Sequence, residues 1–154
     1  MKTVLVEAGI SYCPALFKDR LFPLAIVASI PVLVVLRFFI PAETAPELSV
    51  IKLLFFFVLW TPFWEELLFR GIVQGQLLLR GWGRKQVLGL SYANWTSSII
   101  FVIAHVFSHS PFWAIPVLIP SLVFGYFRER HQSVLPPYIL HGIYNFAYLL
   151  AFDL

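Results

Sequence analysis

Long apolar runs, separated by short polar segments, make up most of the chain. A helix needs roughly 20 apolar residues to cross about 30 Å of hydrocarbon, because it rises about 1.5 Å per residue. Prolines at the start of the last run suit the first turn of a helix. The pattern predicts an all-α polytopic membrane bundle with about five transmembrane helices, at residues 21–40, 49–79, 91–109, 112–127 and 136–152.

Composition agrees with this class of protein. Hydrophobic residues account for 60% of the 154 residues and charged residues for 12%, which is about half the charged fraction of soluble domains. We assign residues 1–20 to an N-terminal cytoplasmic segment and residues 21–154 to a single transmembrane domain. Cys13 is the sole cysteine, which excludes an intramolecular disulfide and a cysteine-cluster metal site.

Basic residues concentrate before the first predicted span, between the second and third, and between the fourth and fifth. They form no single stripe, so the net charge of +3 predicts no nucleic-acid partner. Loops rich in lysine and arginine stay in the cytoplasm. The charge pattern therefore places these three segments, and the N terminus, on the cytoplasmic side of the membrane.

Glu65 and Glu66 interrupt the second apolar run, and an ionisable residue at bilayer depth indicates function. Glu66 and Arg70 are four residues apart on one helix face, which predicts an internal ion pair with a mainly structural role. Glu65 points about 100° away from Glu66, so it is the carboxylate that is available for catalysis. The alternative for Glu65 is a packing residue that forms hydrogen bonds to backbone interrupted near Pro62.

Three further polar residues lie in other apolar runs. His105 is late in the third span, while His141 and Asn145 share one face of the fifth and can direct two donors at a developing oxyanion. A single buried histidine is as readily a core residue, but the combination with Glu65 predicts an intramembrane active site. His105 approaches the opposite side of the membrane, so it reaches Glu65 only if the third helix tilts or ends early.

Metal binding is the main alternative for these histidines. His105 and His109 have the spacing of a helical metal-ligand pair. The serines and the proline around His109 indicate that the helix ends there, so we interpret His109 as a loop residue. No cofactor is predicted, and the alternative is a zinc site formed by Glu65, His105 and His141.

These residues fall into three ordered motifs that resemble the signature of the CPBP family, named for CAAX proteases and bacteriocin processing and also called Abi. The resemblance covers roughly residues 53–146 and includes the type II CAAX prenyl endopeptidases. It implies that Glu66 and Arg70 support an active site. The motifs are Glu65-Glu66-x-x-x-Arg70, Phe101-x-x-x-His105 and His141-x-x-x-Asn145.

The same resemblance implies an intramembrane endopeptidase. Glu65 and His105 would activate a water that attacks a peptide carbonyl, and His141 and Asn145 would stabilise the tetrahedral oxyanion. The implied partner is a membrane-associated protein or peptide that is lipidated or, as for compact bacterial proteases, carries a C-terminal sorting signal. The expected location is the bacterial inner membrane.

Two other functions are compatible with this composition. One is a non-enzymatic immunity or adaptor protein that uses the same fold for binding, although a scaffold has little need of costly buried acids. The other is an ion or proton carrier, against which the absence of a visible inverted repeat argues.

Overall fold

The structure is a computed structural model that describes residues 9, 11, 13–39 and 49–152. The acidic link at residues 41–47 and much of the predicted N-terminal cytoplasmic segment lie outside the described residues. Helices account for most of the described chain, so the all-α prediction is confirmed. The elements are a 3-10 turn at Pro14–Lys18, α1 (Leu21–Phe39), α2 (50–78), β1 (Gln86–Val87), β2 (Leu90–Ser91), α3 (Tyr92–Val106), α4 (Pro111–His131) and α5 (Leu135–Phe152).

The helices follow the predicted apolar runs with three differences. Helix α3 ends at Val106 rather than at residue 109, so His109 lies beyond the helix as expected. Helix α4 continues past residue 127 to His131, where Gln132 adopts the left-handed conformation that commonly ends a helix. The link between α2 and α3 forms an antiparallel hairpin of β1 and β2, which the apolar pattern did not predict.

Apolar side chains face outward and polar side chains are buried, as in a membrane protein. Leu24, Phe112 and Ile119 face outward with 61%, 83% and 60% of their surface exposed, whereas Arg70 and Asn94 are buried. Hydrocarbon favours this arrangement because it supplies no hydrogen-bond partners to polar groups. Within the described residues, α4 alone is long and apolar enough to span a membrane by length and composition, and Leu21–Pro31 is a shorter apolar helix. The count of five spans stays a prediction.

Helix α5 occupies the centre of the bundle and contacts α1, α2 and α4, while α3 packs on α2 and α4. An apolar cluster near the end of α4 includes Leu16, Phe22, Phe127 and Leu140. The rings of Phe22 and Phe127 meet edge to face with their centroids 5.5 Å apart, an arrangement that aromatic pairs favour. This cluster attaches α1 and the preceding 3-10 turn to α4 and α5.

The three basic segments lie at one end of the bundle, which we call the basic end. Arg130, near the end of α4, pairs with Asp19, just before α1. The Ser91 hydroxyl, at the end of the hairpin, donates to the Glu129 carboxylate on α4. The predicted grouping of these segments on one side is therefore present in the fold.

Helix α2 changes its helical form around the two glutamates. It is α-helical at Val50–Leu53, π-helical at Leu54–Trp60, α-helical at Thr61–Glu66, π-helical at Leu67–Gln74 and α-helical at Gly75–Leu78. Wide π-helical turns are rare and occur frequently at functional sites. The helix continues through Pro62, which follows directly after the first π-helical stretch and one threonine.

Pro62 has no N–H, so carbonyls in the preceding turn lose a backbone donor. The Phe57 carbonyl instead accepts a hydrogen bond of 2.8 Å from Asn145 Nδ2 on α5. The Val58 carbonyl lies against Gly142, where an added Cβ would come within 2.7 Å of its oxygen. Both contacts place α5 against the interrupted part of α2.

We expect Gly142→Ala to reduce the free energy of unfolding by about 1–3 kcal/mol, because overpacking at a backbone carbonyl outweighs the better helix propensity of alanine. The measurement is equilibrium unfolding in matched detergent. Gly81→Ala is the control, since an added Cβ at Gly81 meets nothing within 4 Å. Equal stability of the two variants would contradict the close approach of α5 to Val58.

Candidate active site

The two adjacent glutamates occupy different environments on α2. The Glu66 side chain is 1% exposed, whereas the Glu65 side chain is 26% exposed. Successive helical residues point about 100° apart, so one faces the bundle interior while the other reaches accessible space. Glu65 is thus the carboxylate that a substrate or a water molecule can approach.

Glu66 forms the predicted ion pair with Arg70. The Arg70 Nη1 donates to Glu66 Oε1 at 3.0 Å, and Nη2 donates to the Ser121 hydroxyl at 2.7 Å. The guanidinium also lies over the Phe101 ring, 4.4 Å from its centroid, in a cation–π contact. These contacts compensate the desolvation of a fully buried arginine and connect α2, α3 and α4.

His141 connects both glutamates. Its Nδ1 is 2.7 Å from Glu66 Oε1 and its Nε2 is 3.5 Å from Glu65 Oε2. Because an ionised carboxylate only accepts hydrogen bonds, Nδ1 carries the proton shared with Glu66. The imidazole ring stacks on Phe124 with centroids 5.0 Å apart, which fixes its plane. The Nε2 of His141 is therefore aimed at Glu65.

His105 belongs to the same cluster but not to the same contact network. Its Nδ1 lies 3.0 Å from the Phe101 carbonyl, which only accepts, so the proton is on Nδ1 and the Nε2 lone pair is available. In the described part of the chain no hydrogen bond or ion pair joins His105 to Glu65. The Phe101 ring contacts both histidines, with its centroid 4.3 Å from that of His105 and 6.0 Å from that of His141.

Asn145 lies one helical turn beyond His141 on α5, and its Nδ2 donates to the Phe57 carbonyl. A carboxamide nitrogen has two hydrogens, so this bond orients the side chain and leaves a second donor. The pairing of His141 and Asn145 on one face is thus present. It is held by the carbonyl that Pro62 leaves without a backbone partner.

Two residues near the site, Ser121 and His109, form contacts that the sequence did not indicate. Ser121 binds Arg70 and is the sole serine in the apolar run at residues 112–127, a signal that could have identified it. His109 follows α3, and its ring stacks on His105 with centroids 5.9 Å apart.

A zinc site formed by Glu65, His105 and His141 is the alternative that the sequence leaves open. Among the described residues, no group of three or more histidine, cysteine, aspartate or glutamate side chains is arranged to hold a metal ion. The zinc alternative stays a prediction.

The Glu65 carboxylate and the His141 imidazole have complementary chemical properties and lie at the same place. Glu65 provides an accessible carboxylate. His141 Nε2 faces that carboxylate, while His141 Nδ1 is bound to the buried Glu66. A base and a donor that face a common point can serve hydrolysis of a polarised carbonyl.

Comparison with known proteins identifies the family of the chain. Residues 47–147 match the family model described as type II CAAX prenyl endopeptidase Rce1-like. Searches of the curated proteins and of the solved structures found no match. The matched segment covers about two thirds of the chain and contains α3, α4 and every predicted site residue. The chain therefore belongs to the Rce1-like family of type II CAAX prenyl endopeptidases, which are membrane-embedded proteases.

Proposed function

We propose that the protein is an intramembrane endopeptidase that hydrolyses a peptide bond near the C terminus or within the membrane-embedded segment of its substrate. The observation that carries the proposal is the position of His141, whose Nδ1 binds buried Glu66 while its Nε2 faces accessible Glu65. The substrate is a membrane-associated protein or peptide that is lipidated or carries a C-terminal sorting signal.

Glu65 acts as the general base in this proposal. It takes a proton from a water molecule while the water oxygen forms a bond to the carbonyl carbon. The lone pair on His105 Nε2 accepts the second hydrogen of that water and orients it. The proton on Glu65 then passes to the leaving amine as the carbon–nitrogen bond breaks.

The oxyanion is stabilised from α5. A doubly protonated His141 donates Nδ1–H to Glu66 and Nε2–H to the oxyanion, and the second amide hydrogen of Asn145 supplies another donor. Glu66 balances the charge of the imidazolium, and Arg70 fixes the position of Glu66. No cofactor takes part in these steps.

The test is cleavage of membrane-anchored C-terminal peptides, with and without an isoprenyl group, by the protein in liposomes, followed by mass spectrometry. We expect cleavage by the wild type, no cleavage by Glu65→Ala, and unchanged cleavage in the presence of a chelator. Inhibition by the chelator would replace the cofactor-free mechanism with the zinc alternative. Binding of peptides without cleavage by a folded wild type would favour the immunity or adaptor function.

We also propose that the basic end faces the cytoplasm of a bacterial inner membrane, so that the N terminus is cytoplasmic. Loops rich in lysine and arginine remain inside during insertion, and these segments share one end of the bundle. Reporter fusions after Phe152 test the orientation, because an odd number of spans places the C terminus outside.

A further inference from the structure

A cavity of about 570 Å³ lies at the basic end, between the segment before α1 and the end of α4. Its charged lining residues are Lys18, Asp19, Arg20, Arg130 and His131. Arg130 is nine residues beyond Ser121 on the same helix, or roughly 13 Å along the axis at about 1.5 Å per residue. The cavity is therefore outside the active site described above.

Positive charge exceeds negative charge in this cavity. Asp19 accepts hydrogen bonds from Arg130 Nη2 at 3.2 Å and lies 2.9 Å from His131 Nε2. The hydrogen bonds from Arg130 hold the pKa of Asp19 below its usual value, so its carboxylate stays ionised and fixes the guanidinium. Lys18 and Arg20 form no ion pair with any described acid, so among the described residues they are the uncompensated cations of this cavity.

The cavity also lies at the ends of two apolar helices. It opens where α1 begins at Leu21 and where α4, the helix long and apolar enough to span, ends at His131. Directly along α1, Leu21 and Leu24 expose 41% and 61% of their surface. A molecule that fills the cavity with an anionic group can therefore lay an acyl chain along α1.

We propose that this cavity binds the phosphate headgroup of an anionic phospholipid. Lys18 and Arg20 contact the phosphate directly, since their ammonium and guanidinium groups are the uncompensated cations. Arg130, fixed by Asp19, is a third cation beside them. The bound lipid holds the start of α1 against the end of α4, in addition to the Asp19–Arg130 pair.

Native mass spectrometry of the full chain in detergent tests the proposal. We expect the wild type to bind one phosphatidylglycerol more tightly than phosphatidylcholine, and Lys18→Gln/Arg20→Gln to weaken phosphatidylglycerol binding by roughly 30-fold. The charge-preserving swap Lys18→Arg/Arg20→Lys should retain binding. The matched control is Arg80→Gln/Lys85→Gln, which removes two exposed cations from the same end but outside the cavity.

Three outcomes would overturn the assignment. Equal losses in the two double glutamine variants would mean that lipid responds to surface charge in general. Equal binding of phosphatidylcholine by the wild type would mean that the headgroup charge is not recognised. Displacement of the lipid by free glycerol phosphate at equimolar concentration would assign the cavity to a soluble anion.

Discussion

Glu65→Gln is expected to lower kcat/KM by roughly 100- to 10,000-fold, which is the usual contribution of a general base. Glutamine keeps the shape of the side chain but cannot accept the proton of the attacking water. Glu65 contributes little to stability, because its closest charged partner, His141 Nε2, is 3.5 Å away and the side chain is 26% exposed. Cleavage kinetics in liposomes and the melting temperature in detergent measure the two effects.

Glu129→Gln is the control for this prediction. Glu129 is a half-buried carboxylate at the basic end, and its Oε1 accepts hydrogen bonds from Gln74 and Ser91, which a glutamine oxygen can also accept. We expect its kcat/KM to match the wild type. A Glu65→Gln variant that cleaves at the wild-type rate would remove Glu65 from the proposed mechanism and require another base.

Arg70→Met is expected to reduce the free energy of unfolding by about 3–5 kcal/mol, because it leaves a buried carboxylate without its cation. The Arg70 side chain is 0% exposed, and it binds both Glu66 and Ser121. Equilibrium unfolding in mixed micelles measures the change. The loss should persist when no substrate is present, since it arises from the folded state alone.

The double variant Glu66→Met/Arg70→Met separates burial of charge from loss of packing. Replacing both partners of a buried ion pair with apolar residues of similar volume is often neutral or stabilising. We therefore expect the double variant to be more stable than Arg70→Met, although His141 loses its partner on Nδ1. Additive losses from the two substitutions would show that the pair itself is not the source of the effect.

Contacts and shared faces within one helix could be predicted from the sequence. Glu66 and Arg70 form the expected pair, and His141 and Asn145 share a face of α5. Both pairs have a spacing of four residues, and the helical repeat is a local property that does not depend on the rest of the fold. The end of α3 before His109 was also predictable, because the serines and the proline around it favour helix termination.

Contacts between side chains of different helices could not be predicted in the same way. Nothing in the spacing indicated that His141 would contact both glutamates, or that Ser121 would bind Arg70. His105 contacts Phe101 within its own helix, and its approach to Glu65 stays a prediction. Such contacts depend on where two helices cross and on which rotamers their side chains adopt.

The membrane class, the helical runs and the polar residues available for chemistry could be derived from the amino-acid sequence alone, because hydropathy and the helical repeat act over neighbouring residues. Which of those polar residues contact one another depends on how the helices pack. Pro62 illustrates the difference: its missing N–H is visible in the sequence, but the closure of that gap by Asn145 and Gly142 requires α5 to pack against α2. Packing of distant segments selects one partner for each polar group left unpaired, and local patterns carry no information about that partner.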